Sequence, residues 1–288
     1  MTIPGFSDHT AHVNGIEVAF SAGGAGPPLV LLHGFPQTRA MWGAIAPALA
    51  GTHRVICPDL RGYGASGKPA GTAGYSFREM GRDVAALMTR LGHDRFALAG
   101  HDRGGRVAHR LALDAPGRVT RLAVMDIVPT HTLLAELRAE VAAAYWHWFF
   151  LAQPAPFPET MIGHDPDMFF ETCLLGWGGA RLADFDDGQL AAYRAAWRDP
   201  DTIRGMCADY RAALTHDFAD DAADLGARVA CPALVLYGAD GAMARHYDVP
   251  ATWAGKCDAM APAAIPGGHF FPDTAPRATA RALATFLG

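Results

Sequence analysis

Nothing in this sequence is apolar for the roughly 18 residues that a membrane-crossing helix needs, so a spanning protein is not expected. Residues 1–14 carry neither a basic head nor an apolar stretch, so neither a secretory leader nor a membrane anchor is expected there. A basic stripe is also missing: 24 Lys and Arg stand against 29 Asp and Glu, net −5, which argues against nucleic acid as a partner. No CxxC pair occurs, and five scattered cysteines (Cys57, Cys173, Cys207, Cys231 and Cys257) fit the reduced thiols of a cytoplasmic protein. The 13 histidines include no HExxH and no other ligand spacing, so no metal and no cofactor are expected. Charged residues make up only 18% of the chain while 50% are hydrophobic, the composition of a large buried core rather than of disorder. A mildly acidic chain does not attract a small anion as a whole, so an anionic substrate would need a local positive site.

What is present is alternation. Short apolar runs at 28–32, 55–57, 96–99, 122–125 and 233–237 are bounded by turn residues, as buried parallel strands are, and 16–20 alternates like an exposed strand. Helical patterns at 80–91, 106–114 and 276–287 lie among them. This is the α/β class: a mostly parallel central sheet flanked by helices. From 128 to 225 no strand pattern occurs. Helical stretches at 132–150 and 189–197, separated by a loop around Pro154, Pro156 and Pro158, read as a helical cap inserted between two strands. The expected division is a core of 1–127 and 226–288 and a cap of 128–225.

The most informative stretch is FALAGHDRGGRVAHR, residues 96–110. A strand runs to Gly100, a Gly-x-Asp-x-Gly turn follows, and a helix begins. Such a strand-to-helix elbow lifts one side chain above the sheet, usually Ser as nucleophile. Here the apex is Asp102. A carboxylate is a poor acyl-transfer nucleophile, but it can displace a leaving group from saturated carbon to give an ester that water then cleaves. The bland role for Asp102 is a helix N-cap.

His269, in the Gly-rich loop IPGGHFFPD after the last strand pattern, stands where the order nucleophile, acid, histidine requires a base for that water. Two carboxylates follow strands and are candidates to orient it, Asp126 and Asp240, and spacing does not separate them. The turn His33-Gly34-Phe35-Pro36 is placed to supply the Phe35 N–H to an oxyanion hole, together with the Arg103 N–H. Arg103 and Arg106, three apart, share one face of the elbow helix and can clamp a substrate carboxylate. An anionic substrate beside an anionic nucleophile needs such cations, since like charges about 4 Å apart repel by several kcal/mol in a partly dry site.

With these residues in hand, the chain resembles the fluoroacetate (haloacetate) dehalogenases of the α/β-hydrolase superfamily. The match lies in GHDRGGRVAHRLALDAP, DIVPT after Asp126, YWHWFF, ADYRA and GGHFFPDTAP, in order over nearly the whole chain. The resemblance implies hydrolysis of the carbon–halogen bond of a small 2-haloacid. Asp102 would be nucleophile, His269 base, Asp126 rather than Asp240 the acid, and Arg103 and Arg106 the carboxylate clamp. It further implies a halide pocket of His147, Trp148 and Tyr210, a pocket-lining Trp177, and a homodimer. Without it, the cap aromatics would read as core. The rival readings are an epoxide hydrolase using the same Asp, a haloalkane dehalogenase, which should lack the arginines, and a non-catalytic small-acid receptor, against which the Asp102–His269 pair speaks.

Overall fold

The computed structural model describes residues 3–135, 137–176 and 179–288. One eight-stranded sheet organises the chain: β1 (Ser7–Val13), β2 (Ile16–Gly23), β3 (Pro28–Leu32), β4 (Arg54–Pro58), β5 (Phe96–His101), β6 (Val119–Met125), β7 (Ala233–Gly238) and β8 (Met260–Ile265). Their spatial order is β1-β2-β4-β3-β5-β6-β7-β8. β1 and β2 are antiparallel, β2 meets β4 antiparallel, and every pair from β4 through β3 to β8 is parallel. The parallel strands are apolar because helices cover both faces; Leu29, Val30, Leu31 and Leu32 are wholly buried.

Two strands escaped the sequence reading, β1 and β8, the two edges of the sheet. β1 is mostly exposed and polar, and β8 is a largely exposed run of Ala and Pro, so neither shows the apolar run of a central strand. β2 departs in the other direction. Read as exposed, it is buried at every position except Glu17, because β1 and β4 flank it on both sides. The elbow strand runs one residue further than Gly100, to His101.

The helix expected at 80–91 spans Phe77–Arg90, started by the Ser76 hydroxyl accepting the Glu79 N–H at 3.2 Å. The expected helix at 132–150 is three helices, Thr130–Ala135, Ala139–Ala144 and Trp146–Leu151. Tyr145, with φ −106° and ψ 31°, breaks the last two apart. Pro158 lies not in a loop but in the first turn of the helix Phe157–His164, where its missing N–H costs nothing. Helices Pro166–Gly176, Asp187–Trp197, Pro200–Ala212 and Phe218–Ala223 follow before β7. Among the described residues no helix is long and apolar enough to cross a membrane.

Register places the site. Leu32 of β3 pairs with Gly100 of β5, His101 with Met125 of β6, and Met125 with Leu236 of β7. The residues just beyond these strands therefore emerge side by side at the carboxyl ends of the parallel strands, where open α/β sheets bind ligands.

Candidate active site

The elbow is a backbone consequence of two glycines. A Cβ on Gly100 would lie 2.2 Å from the Gly104 carbonyl oxygen, and one on Gly104 would lie 2.4 Å from that of His33. Only with both bare do β5, the turn and the helix Arg103–Asp114 approach closely enough to hold Asp102 at φ 47°, a left-handed backbone unfavourable for a residue with a side chain. Asp102 sits at the N-cap position, yet its carboxylate caps no helix N–H. Its Oδ1 instead accepts the Phe35 N–H at 2.9 Å.

Asp126, also at positive φ, follows β6. Its Oδ2 is 2.7 Å from His269 Nδ1, and its Oδ1 accepts the Gly238 N–H at 2.8 Å. Asp240 is brought elsewhere: it is exposed, and its carboxylate meets the Gly267 N–H at 3.3 Å. With Nδ1–H directed at Asp126, the neutral imidazole presents Nε2 as its basic atom. Nε2 lies 3.9 Å from Asp102 Oδ2, an ion-pair separation beyond hydrogen-bond reach.

Burial opposes the charge of the Asp102 carboxylate, but the cations of His269, His101 and Arg103 and the Phe35 N–H outweigh it and hold the pKa at about 2. At neutral pH His101 is uncharged, since burial and His269 push it down to about 4. Burial also disfavours the His269 cation, but the hydrogen bond and charge of Asp126, with the charge of Asp102, lift its pKa above the ordinary 6.5.

Both arginines are buried. Arg103 donates from Nε to Asp209 Oδ2 at 2.9 Å and from Nη2 to Asp209 Oδ1 and to the Asp209 carbonyl. Arg106 donates from Nη1 to the Val128 carbonyl and to Thr130 Oγ1, both at 3.0 Å. The arginines and the aromatics from the helices between β6 and β7 form one cluster. The Arg103 guanidinium lies 4.4 Å from the Tyr210 ring centre and 5.0 Å from that of Trp148, and Arg106 lies 4.9 Å from Trp148.

His147, Trp148 and Tyr210 are therefore brought together, all buried. The His147 and Tyr210 ring centres are 5.5 Å apart, Trp148 and Tyr210 5.4 Å, and Phe35 lies 5.7 Å from His147 and 5.1 Å from Tyr210. Trp148 Nε1–H and Tyr210 O–H are buried donors with no hydrogen-bond partner among the described residues. Burial keeps the Tyr210 phenol protonated and pushes His147 well below its ordinary pKa, leaving it a neutral imidazole. Trp177 lies outside the described residues.

Sequence reading missed four neighbours. Asp209, inside ADYRA, was given no role from the sequence, yet it is fully buried against Arg103 and accepts the Tyr63 O–H at 2.6 Å. Breaking such a pair by removing one partner costs about 3–5 kcal/mol. The His101 ring lies tilted 4.7 Å from the His269 ring and bonds the His269 carbonyl at 2.8 Å through Nε2. Tyr145 is buried 5.7 Å from His147. For Asp209 the only sequence signal was an acid inside an otherwise buried helical pattern; Tyr63, His101 and Tyr145 had none beyond adjacency to glycine or to the motifs.

Compared with known proteins, residues 27–276 match the family model described as alpha/beta hydrolase fold. Over 286 residues the chain is 51% identical to a fluoroacetate dehalogenase of Burkholderia sp, covering 98% of this chain and 94% of that one. It is 31% identical over 275 residues to a soluble epoxide hydrolase of Corynebacterium sp., covering 93% of each. The crystal structure of ALR0039 from Nostoc sp PCC 7120 superposes with a TM-score of 0.97 at 43% identity, covering 99% of both chains.

Proposed function

Because this chain belongs to the α/β-hydrolase fold family, we propose from its elbow that it is a haloacetate dehalogenase, converting fluoroacetate and related 2-haloacids to the 2-hydroxy acid and halide. The observation that carries this reading is Asp102 at the elbow, ionised and beside two buried arginines, with the His269–Asp126 pair behind it. The core, 1–127 and 226–288, supplies nucleophile, base, acid and arginines. The cap, 128–225, supplies the halide donors.

The substrate carboxylate is held by Arg103 and Arg106, which offsets its repulsion from Asp102 and presents the α-carbon. Asp102 Oδ2 attacks that carbon, a C–O bond forms, and the C–F bond breaks with its electron pair leaving as fluoride. His147, Trp148 and Tyr210 donate N–H and O–H groups to the departing ion in a site closed to bulk water. His269 Nε2 then takes a proton from water, and the resulting hydroxide adds to Asp102 Cγ. Charge develops on Oδ1, where the Phe35 N–H already points. Collapse restores the Asp102 carboxylate and frees glycolate; fluoroacetate and water become glycolate, fluoride and one proton. Trp177 is assigned to the pocket wall, and the Arg103 N–H to the same oxyanion hole as Phe35.

A fluoride-electrode assay on fluoroacetate, beside chloroacetate, chloroacetamide and a neutral epoxide, tests the assignment. Fluoride release from fluoroacetate is the expected result, with Arg106→Leu raising KM and lowering kcat at least about tenfold together. The amide, lacking the charge that Arg106 would meet, should be a poor substrate. Turnover of the epoxide but neither haloacid would instead establish an epoxide hydrolase.

A pH prediction follows from the two shifted groups. Asp102, at about 2, stays ionised through acidic conditions, so halide release persists there. His269 must be neutral to act, and its pKa is raised, so ester hydrolysis fails as pH falls through that value. Alkylation removes the Asp102 charge, one cause of the shift, so the failure sets in lower than the free enzyme's His269 pKa. Rapid-quench measurements at about pH 5 should show a halide burst with the ester accumulating. Parallel loss of both steps would contradict the assignment.

The five free cysteines, four of them buried, favour a cytoplasmic enzyme. Trp146, Phe157, Met161 and Met168 are exposed on the cap, an apolar surface suited to a homodimer contact.

A further inference from the structure

The two arginines beside Asp102 are held in unlike ways. Arg103 is paired bidentately with the fully buried Asp209, whose Oδ2 also accepts the Tyr63 O–H. The Arg106 guanidinium meets only a carbonyl, a hydroxyl and the Trp148 face, and among the described residues no carboxylate pairs with it. One nitrogen of Arg103, Nη1, is buried with no hydrogen-bond partner among the described residues. The helix Pro200–Ala212 that carries Asp209 is pressed against the core, for a Cβ on Gly205 would come within 2.7 Å of the Gly62 carbonyl oxygen. Tyr63, next to Gly62, thus meets Asp209 at a contact with little freedom, and Tyr210 follows Asp209 directly.

We propose that Asp209 is a positioning residue that divides labour between the arginines: it neutralises and locks Arg103, and leaves Arg106 as the buried cation that draws in the substrate anion. This rests on the reading that both arginines hold the substrate carboxylate. A bidentate pair fixes the plane of the guanidinium, so the remaining Nη1 is a donor whose direction is set before substrate arrives. Asp209 offsets much of the Arg103 charge, whereas Arg106, with no ion-pair partner among the described residues, keeps more of its field for an incoming anion. Arg106 therefore governs affinity, and Arg103, through Asp209, governs the alignment of the α-carbon with Asp102. Because Tyr210 is on the same turn of helix, the lock also ties the carboxylate end of the substrate to the halide end.

The test measures kcat on fluoroacetate and the inhibition constant of acetate, an inert carboxylate, for Asp209→Asn, Tyr63→Phe, Arg103→Leu, Arg106→Leu and the double variant Asp209→Asn/Arg103→Leu. Asp209→Asn should lower kcat by about 10–100-fold while acetate binds as tightly as to the parent enzyme or more tightly, because the freed Arg103 charge then adds to that of Arg106. In the Arg103→Leu background the same change should cost less than about twofold, since the residue acts through Arg103. Arg106→Leu should weaken acetate by at least about tenfold. If Asp209→Asn fails to fold, Tyr63→Phe carries the test, with a loss of about 3–10-fold in kcat and unchanged acetate binding. An equal loss with and without Arg103, or weaker acetate binding in Asp209→Asn, overturns the proposal while the clamp stands. Unchanged acetate binding in Arg106→Leu removes the clamp reading and this inference with it.

Discussion

Asp102→Asn should abolish halide release altogether, while His269→Asn should release about one halide per site and then stop. The two results differ because the residues are assigned to successive steps. An amide at position 102 cannot displace halide, so no bond to the α-carbon forms. Without His269 the nucleophile remains ionised beside Phe35 and the arginines, but no base activates the water that must cleave the ester. The intact protein should then carry the added mass of a carboxymethyl group, found as an ester on the peptide containing Asp102. The expected loss in steady-state turnover, at least about 10⁴-fold, is of the size seen when members of a catalytic triad are removed. Sustained turnover by either variant, or an ester on a different residue, would remove the two-step mechanism. Asp126→Asn should lie between the extremes, slowing ester cleavage by misdirecting the imidazole that it now holds at 2.7 Å, whereas Asp240→Asn, at an exposed carboxylate, should leave it nearly untouched.

The second large effect concerns the leaving group. Tyr210→Phe and Trp148→Phe should damage defluorination far more than debromination. Both donors are buried and have no hydrogen-bond partner among the described residues, an arrangement that costs stability unless something accepts from them during function. Departing fluoride concentrates its charge on a small atom, whereas bromide is diffuse and leaves readily, so the donors matter in proportion to the charge they meet in the transition state. One preorganised donor removed costs about 2.7–4 kcal/mol, or about 10²–10³ in rate. A loss near that size is expected for fluoroacetate and a smaller one for bromoacetate. The comparison should use single-turnover halide release, so that ester hydrolysis by His269 does not hide it. Equal losses for fluoride, chloride and bromide would reduce these residues to shaping the cap.

By itself the sequence determined the class of fold, the elbow and the chemistry that an aspartate at its apex permits, because each depends on local order. A run such as PLVLL reads as a buried strand without knowledge of its neighbours, and Gly100, Asp102 and Gly104 state the turn within five residues. His269 was legible for the same reason, as the one histidine in a Gly-rich loop before the last helix. The edge strands β1 and β8 were not, since an edge lacks the two-sided burial that writes an apolar pattern. Only the tertiary structure brought Asp126 rather than Asp240 to His269. Both acids follow neighbouring strands, and the difference is which carboxylate the strand ends carry under the imidazole, a matter of register across β6, β7 and the His269 loop. Asp209 was equally hidden: the charge it cancels on Arg103 is 106 residues away, and a distance through space between opposite charges leaves no trace in the order of residues along the chain.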